Sequence, residues 1–224
     1  MGYARSAILA AVLAALPDVV SAQTIPSPFQ FIETRHEVGL YAGYLAIDPG
    51  ELGLAPKSAS IAGARYDIHF TGPLSGEVGL AFSPTTRVVK TRAGVSSSLS
   101  DVEEVDAHLL MAEAGLRFHF TGSRSWNGLA PYALATGGFV FDLAGTGAIE
   151  SQIEEENRFS FGPSFAASLG LGSQYFLTDN VSLRVEARDY VWRLSYPDLF
   201  AGIEGAENEW ANNFGLTVGG AIHF

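Results

Sequence analysis

Residues 213–224 alternate without a break. Phe214, Leu216, Val218, Gly220, Ile222 and Phe224 fall on one side of an extended chain, and Asn213, Gly215, Thr217, Gly219, Ala221 and His223 on the other. A period of two belongs to a strand whose faces meet different surroundings, and it is incompatible with the 3.6-residue period of a helix. The same pattern returns over residues 62–70, 78–82, 110–120, 161–171 and 181–187, where Phe, Leu, Val, Ile and Tyr oppose Gly, Ser and charged side chains. Residues 38–46 and 131–141 are strand-like with a less decisive face, which brings the number of expected strands to eight. After the first twenty residues no window is apolar for long enough to make a membrane helix.

Composition narrows the classes further. Hydrophobic residues make up 47 % of the 224 and charged ones only 17 %, so the apolar surface must be packed or placed in lipid, and disorder is excluded. The formal charge of −11 argues against nucleic acid as a partner, because phosphate neutralisation needs a basic surface. The absence of cysteine removes disulfides, thiolate metal sites and cysteine nucleophiles together. At the N-terminus, Arg5, an apolar run over residues 7–16 and the small residues Val20, Ser21 and Ala22 read as a secretory signal peptide, residues 1–22, cut after Ala22. That apolar run would rise only about 15 Å as a helix, roughly half the hydrocarbon thickness of a bilayer. Residues 23–36 then form a periplasmic segment and 37–224 a barrel domain.

The connections alternate in length. Residues 71–75, 121–128 and 178–180 are short and rich in turn formers, whereas 47–59, 84–104, 142–158 and 194–210 are long. This is the layout of an all-β, eight-stranded antiparallel up-and-down transmembrane β-barrel, with short periplasmic turns and four longer extracellular loops. A closed barrel crosses lipid without helices because it leaves no unpaired edge. A soluble barrel of the lipocalin kind fits the alternation equally well but would turn its apolar face inward. Width separates the two: eight strands enclose room only for side chains or one small ligand, and the faces rich in Gly, Ala and Ser suit that narrow lumen. Phe70, Phe120, Tyr132, Phe176 and Phe224 near the turns, and Tyr44, Phe82, Phe161, Tyr190, Trp192 and Phe214 near the loops, are expected as two interfacial girdles.

Two stretches carry a resemblance. GLGSQYFLTDNVSLRVEARDYVW, residues 170–192, resembles the penultimate hairpin of the small outer-membrane β-barrels related to the OmpA transmembrane domain and to opacity-type, porin-like surface proteins. The terminal FGLTVGGAIHF is similar to the C-terminal strand of that family. The resemblance implies a Gram-negative outer-membrane location, with lipid and lipopolysaccharide as surroundings. It also implies that Phe214, Leu216, Val218, Ile222 and Phe224 are read by the outer-membrane assembly machinery. Gly220 departs from the pattern. Larger relatives continue into a peptidoglycan-binding domain, which is not expected of this chain.

On the inward face of such a barrel, Arg65, Arg117, Arg184 and Arg188 face Asp67, Glu77, Glu113 and Glu186, a balanced set. A salt-bridged plug and a gated ion path both use such a set, and the plug is the reading adopted, since unpaired buried charges are costly. His69 and His119 are expected as lumen hydrogen-bonders. Most of the net charge falls in two outer loops, around Asp142, Glu150, Glu154, Glu155 and Glu156, and around Asp198, Glu204, Glu207 and Glu209. Glu154, Glu155, Glu156, Glu204, Glu207 and Glu209 are therefore candidates for cation or partner contacts. Arg87, Lys90 and Arg92 could meet lipid phosphates or the acidic arm of their own loop. No cofactor, firm metal site or catalytic residue is implied; none of the histidines is followed two residues later by serine. The expected role is structural or surface-interacting and adhesion-like, toward an extracellular ligand the sequence does not name. A narrow channel for small or apolar solutes is the alternative, and a lipid-modifying enzyme the second.

Overall fold

A computed structural model describes residues 27–92, 99–144, 146–154, 158–159, 161–197, 200, 203 and 208–224. The expected signal peptide lies outside them. Among the described residues the strands in chain order are β1 (Phe29–Phe31), β2 (His36–Ala46), β3 (Ala59–Thr71), β4 (Leu74–Arg92), β5 (Leu99–His119), β6 (Arg124–Trp126), β7 (Leu129–Asp142), β8 (Ser164–Thr178), β9 (Val181–Leu194) and β10 (Glu209–His223). Eight of them close into an antiparallel barrel in the order β2, β3, β4, β5, β7, β8, β9, β10, with β10 returning to β2 and β7 paired to β8. The two short strands, β1 and β6, pair with each other and hang from the turn end of β7.

The outer surface is apolar. Leu40, Leu80, Leu116, Leu169, Leu183, Val185 and Val218 all stand exposed, Leu169 at 69 %. Most charged positions toward the turn end of these strands are buried, Arg117 keeping 1 % of its surface and Glu186 2 %, whereas Asp189 of β9 stands on the outer face between Leu169 and Phe214. A predominantly apolar exterior around an interior that holds the buried charges is stable only with hydrocarbon outside, which removes the lipocalin reading. Lumen glycines make room for inward rings. A Cβ on Gly172 would lie 2.4 Å from the Tyr132 ring, and one on Gly63 2.5 Å from that of Tyr41.

Four expectations change. Residues 84–104 were expected as a loop, but β4 and β5 stay paired from Pro84↔His108 up to Arg92↔Leu99. Thr85, Arg87 and Val89 there alternate inward with Thr86 and Val88, a strand pattern hidden by a proline and by charge. The turn at 121–128 contains β6. Of the expected girdle, Tyr132, Phe161, Tyr190 and Trp192 are buried in the interior, whereas Phe70, Phe120, Phe224, Tyr44, Phe82 and Phe214 do face outward. The parity of β9 explains Tyr190 and Trp192, since both share the inward side of Arg184, Glu186 and Arg188. Finally, large side chains as well as small ones fill the lumen.

Candidate functional site

The lumen has two layers, and β9 shows both. From the turn upward its inward residues are Ser182, Arg184, Glu186 and Arg188, then Tyr190, Trp192 and Leu194. Strand β5 repeats the order in reverse, with Val105, Ala107, Leu109 and Met111 inward at the loop end and Arg117 and His119 at the turn end.

The lower layer is one connected ion network. Arg65 Nη1 donates to both carboxylate oxygens of Glu186 at 2.9 and 3.0 Å, and Arg188 Nε donates to Glu186 at 2.6 Å. Arg188 also donates to Glu113 at 2.6 Å and to Glu77. Arg117 donates to Asp67 at 2.6 Å and to Glu77, and Arg184 donates to Glu37 and to Asp67 at 3.2 Å. Glu77 is the hub, with Arg184 at 3.6 Å and Arg65 at 3.8 Å besides its two hydrogen-bonded arginines. Aromatic faces cover the guanidinium planes, Tyr41 at 4.1 Å from Arg65 and Tyr132 at 4.7 Å from Arg117. The Tyr132 hydroxyl donates to Glu186 at 2.6 Å and Thr136 to Glu113 at 2.7 Å.

All eight expected lumen residues thus meet in one network, but a fifth carboxylate joins them. Glu37 accepts from Arg184 and Gln174, so the set is not balanced by the four arginines alone. Its position could have been read from the chain: Val38 and Leu40 face out, so Glu37, Gly39 and Tyr41 face in.

Four histidines, His36, His69, His119 and His223, line a small cavity at the turn end. His69 and His119 both meet Ser75 Oγ, at 3.2 and 3.3 Å. Ser182 Oγ lies 2.8 Å from His223 Nε2, whose other ring nitrogen is 3.8 Å from Glu37. This serine, histidine and carboxylate are not arranged for attack: Ser182 has no exposed surface, and the Gln174 amide donates to its hydroxyl at 2.8 Å. Among the described residues no three His, Asp or Glu are grouped to hold a metal.

The upper layer is apolar and is completed by the loops. Tyr41, Leu45, Ile61, Leu109, Met111, Tyr190, Trp192 and Leu194 from the wall pack with Leu52, Leu54, Phe159, Phe161 and Phe200 from the connections. The Phe161 and Trp192 rings meet at 5.8 Å. Charged residues at the loop ends of β4 and β5 bolt these segments down. Arg87 donates to both oxygens of Glu150 at 2.7 and 2.9 Å, and Glu103 accepts the backbone N–H groups of Ala148, Ile149 and Glu150. Arg87 faces inward, away from lipid, and among the described residues its ion partners are Glu150 and, at 3.8 Å, Asp142; Lys90 pairs with Asp101 at 3.6 Å within its own hairpin, and the Arg92 side chain is outside the described residues. Lys57 and Thr86 donate to Glu104 and hold its carboxyl below the usual range.

Of the six loop carboxylates, Glu209 is engaged. It accepts the Glu51 N–H at 2.9 Å and the Tyr196 hydroxyl, and burial together with that bond pushes the Tyr196 phenol well above its ordinary value. Glu154 is described and has an interaction of its own; Glu155, Glu156, Glu204 and Glu207 lie outside the described residues. Phe214, Leu216, Val218, Ile222 and Phe224 form a row on the outer surface.

A closed eight-stranded barrel, apolar outside and ion-paired within, is the architecture of a small integral outer-membrane protein. Residues 7–221 match the outer membrane protein beta-barrel domain, and the chain belongs to that family, which places it in the outer membrane. Among solved structures it is similar to the outer membrane protein OprG from Pseudomonas aeruginosa, with TM-score 0.53 and 14 % identity over 85 % of this chain and 97 % of that one. It is also similar to Neisserial surface protein A, with TM-score 0.55 and 14 % identity over 84 % of this chain and 97 % of that one. At such identity the likeness establishes the shared fold. No curated protein matches it in sequence.

Proposed function

We propose that this barrel is a closed wall element of the outer membrane, structural in its body and surface-interacting, in an adhesion-like way, through its loop end. The observation that carries this reading is the doubly filled lumen. An ion network occupies the turn half and an apolar cluster capped by Phe159, Phe161 and Phe200 occupies the loop half. A solute would have to dismantle both layers, so the surface left for function is the outer one. The acidic loops suit hard divalent cations, which bridge carboxylates to phosphate or to a partner's own acidic groups.

Exchange of residues 142–158 and 194–210 for short turns tests the proposal. Heat-modifiable gel mobility should persist while cell adhesion and calcium binding fall; adhesion unchanged by both exchanges would contradict it. In the same reading residues 1–22 direct export and are removed, 23–36 remain on the periplasmic side, and the outward row ending in Phe224 serves assembly. N-terminal sequencing of the membrane-extracted protein checks the first point, with Gln23 as the expected start. A lipid A profile unchanged by the protein is expected, and an altered one would favour a lipid-modifying enzyme.

A further inference from the structure

The two short strands that hang below the barrel are fixed and face a defined way. Asn127 at φ 49° and Gly128 at φ 82° make the tight turn that joins Trp126 to Leu129. Both residues are left-handed, as a two-residue hairpin of the primed kind requires, and Asn-Gly is the pair that adopts it most readily. Strand β1 then pairs with β6 in the register Phe29↔Trp126, Gln30↔Ser125 and Phe31↔Arg124. Two further backbone bonds close the ribbon, from Asn127 N to Pro28 O at 2.8 Å and from Ile32 N to Ser123 O at 3.0 Å.

Directly paired residues project to the same side of a sheet. Phe29, Phe31, Arg124 and Trp126 therefore share one face, and Gln30 and the buried Ser125 share the other. Because Trp126 pairs with Leu129, and Leu129 with Tyr175, the aromatic face continues the outward side of β7 and β8. It is open: Phe31 is 67 % exposed, Trp126 50 % and Phe29 43 %. The Arg124 guanidinium lies 4.4 Å over the Phe31 ring, so among these four side chains the charge is a cation held against an aromatic plane. That is unusual in a chain of net charge −11.

We propose that this ribbon is a foot that rests on the periplasmic leaflet, with Phe29, Phe31 and Trp126 in the interfacial zone and Arg124 on a phospholipid phosphate. Continuity with the lipid-facing wall fixes the side, and the barrel's short turns fix the leaflet. Tryptophan and phenylalanine settle where headgroups meet acyl chains, and arginine matches phosphate geometry in two-point contact. The foot adds anchoring area below the hydrocarbon band, independently of anything the outer loops bind.

The absence of cysteine gives a clean test. Nitroxide labels are placed singly through Phe29→Cys and Gln30→Cys, and through Val218→Cys as a reference within the lipid band, in the full chain reconstituted into vesicles of phosphatidylethanolamine and phosphatidylglycerol. Heat-modifiable mobility confirms that each variant is folded. Collision with oxygen against a water-soluble nickel chelate then reports depth. The label at position 29 should be several-fold less accessible to nickel than that at position 30, though shallower than that at position 218. Adding Arg124→Glu should move the position 29 label toward water. Equal nickel access at positions 29 and 30 would overturn the proposal and would leave the free edge of β1 as a place for another protein's strand to pair. Nickel access at position 29 that is unchanged by Arg124→Glu would overturn the phosphate contact.

Discussion

Replacing Glu77 by Gln should cost more than any other single carboxylate-to-amide change in the lumen. Glu77 hydrogen-bonds Arg117 and Arg188 and lies 3.6 Å from Arg184 and 3.8 Å from Arg65. At an effective dielectric constant of about 20, a unit pair near 4 Å is worth roughly 4 kcal/mol before desolvation and repulsion among the arginines are counted. What survives that cancellation when one partner of a buried pair is removed is about 3–5 kcal/mol. Glu113 meets a single arginine, Arg188 at 2.6 Å, and its side chain keeps 10 % exposure. Its replacement by Gln should cost roughly 1.5–3 kcal/mol, the worth of one hydrogen bond to a charged group. The comparison separates local geometry from net charge. With Glu37 included the network has one more carboxylate than arginine, so Glu77→Gln balances it, and an account based on charge balance alone predicts no loss. Urea unfolding of the folded protein in lipid vesicles, read by the heat-modifiable gel shift, gives both values. A cost for Glu77→Gln no greater than for Glu113→Gln would refute the hub.

Trp192→Ala should destabilise by about 3–5 kcal/mol, as for a large core truncation, because Trp192 has no exposed surface. The same assay should give a smaller cost for Trp210→Ala, on the outer face. Val185→Arg places a charge on the exposed outer face, in the turn half of β9, and should cost up to about 2–4 kcal/mol on unfolding from vesicles. A negligible cost there would contradict the lipid-facing assignment. Glu209→Ala removes the acceptor shared by the Glu51 N–H and the Tyr196 hydroxyl, worth roughly 1–2 kcal/mol locally. Trypsin cleavage after Lys57 on intact cells should then quicken, and an unchanged rate would show that this bond does not hold the loop.

The architecture was legible because β-strand parity is unforgiving: one residue of slip would turn Leu183 and Val185 inward and Arg184 and Glu186 into lipid. The same parity placed the arginines and four of the five carboxylates correctly. Glu37 was missed because an alternation read from Val38 starts one residue too late, although the outward parity of Val38 and Leu40 extends back to place Glu37 inward. Tyr190 and Trp192 were misplaced for a different reason. Aromatics near a loop end suit a membrane interface, but these two share the inward parity of Arg188, and the interior there is closed by Phe159, Phe161 and Phe200 from distant connections. Local pattern carries no information about which loop folds back over the mouth. The Arg87–Glu150 pair, which joins β4 to the connection between β7 and β8, was invisible for the same reason. The ribbon was readable in principle, since Asn127-Gly128 between Trp126 and Leu129 is a hairpin turn written in the chain.

The proposed double closure of the lumen, by charge below and by apolar packing above, is tested most directly by single-protein conductance in a planar bilayer. The intact chain should show no discrete openings, and Glu77→Gln should stay silent too, because loosening the ion network leaves the layer around Trp192 in place. Sustained, discrete openings by the unaltered protein would contradict the account.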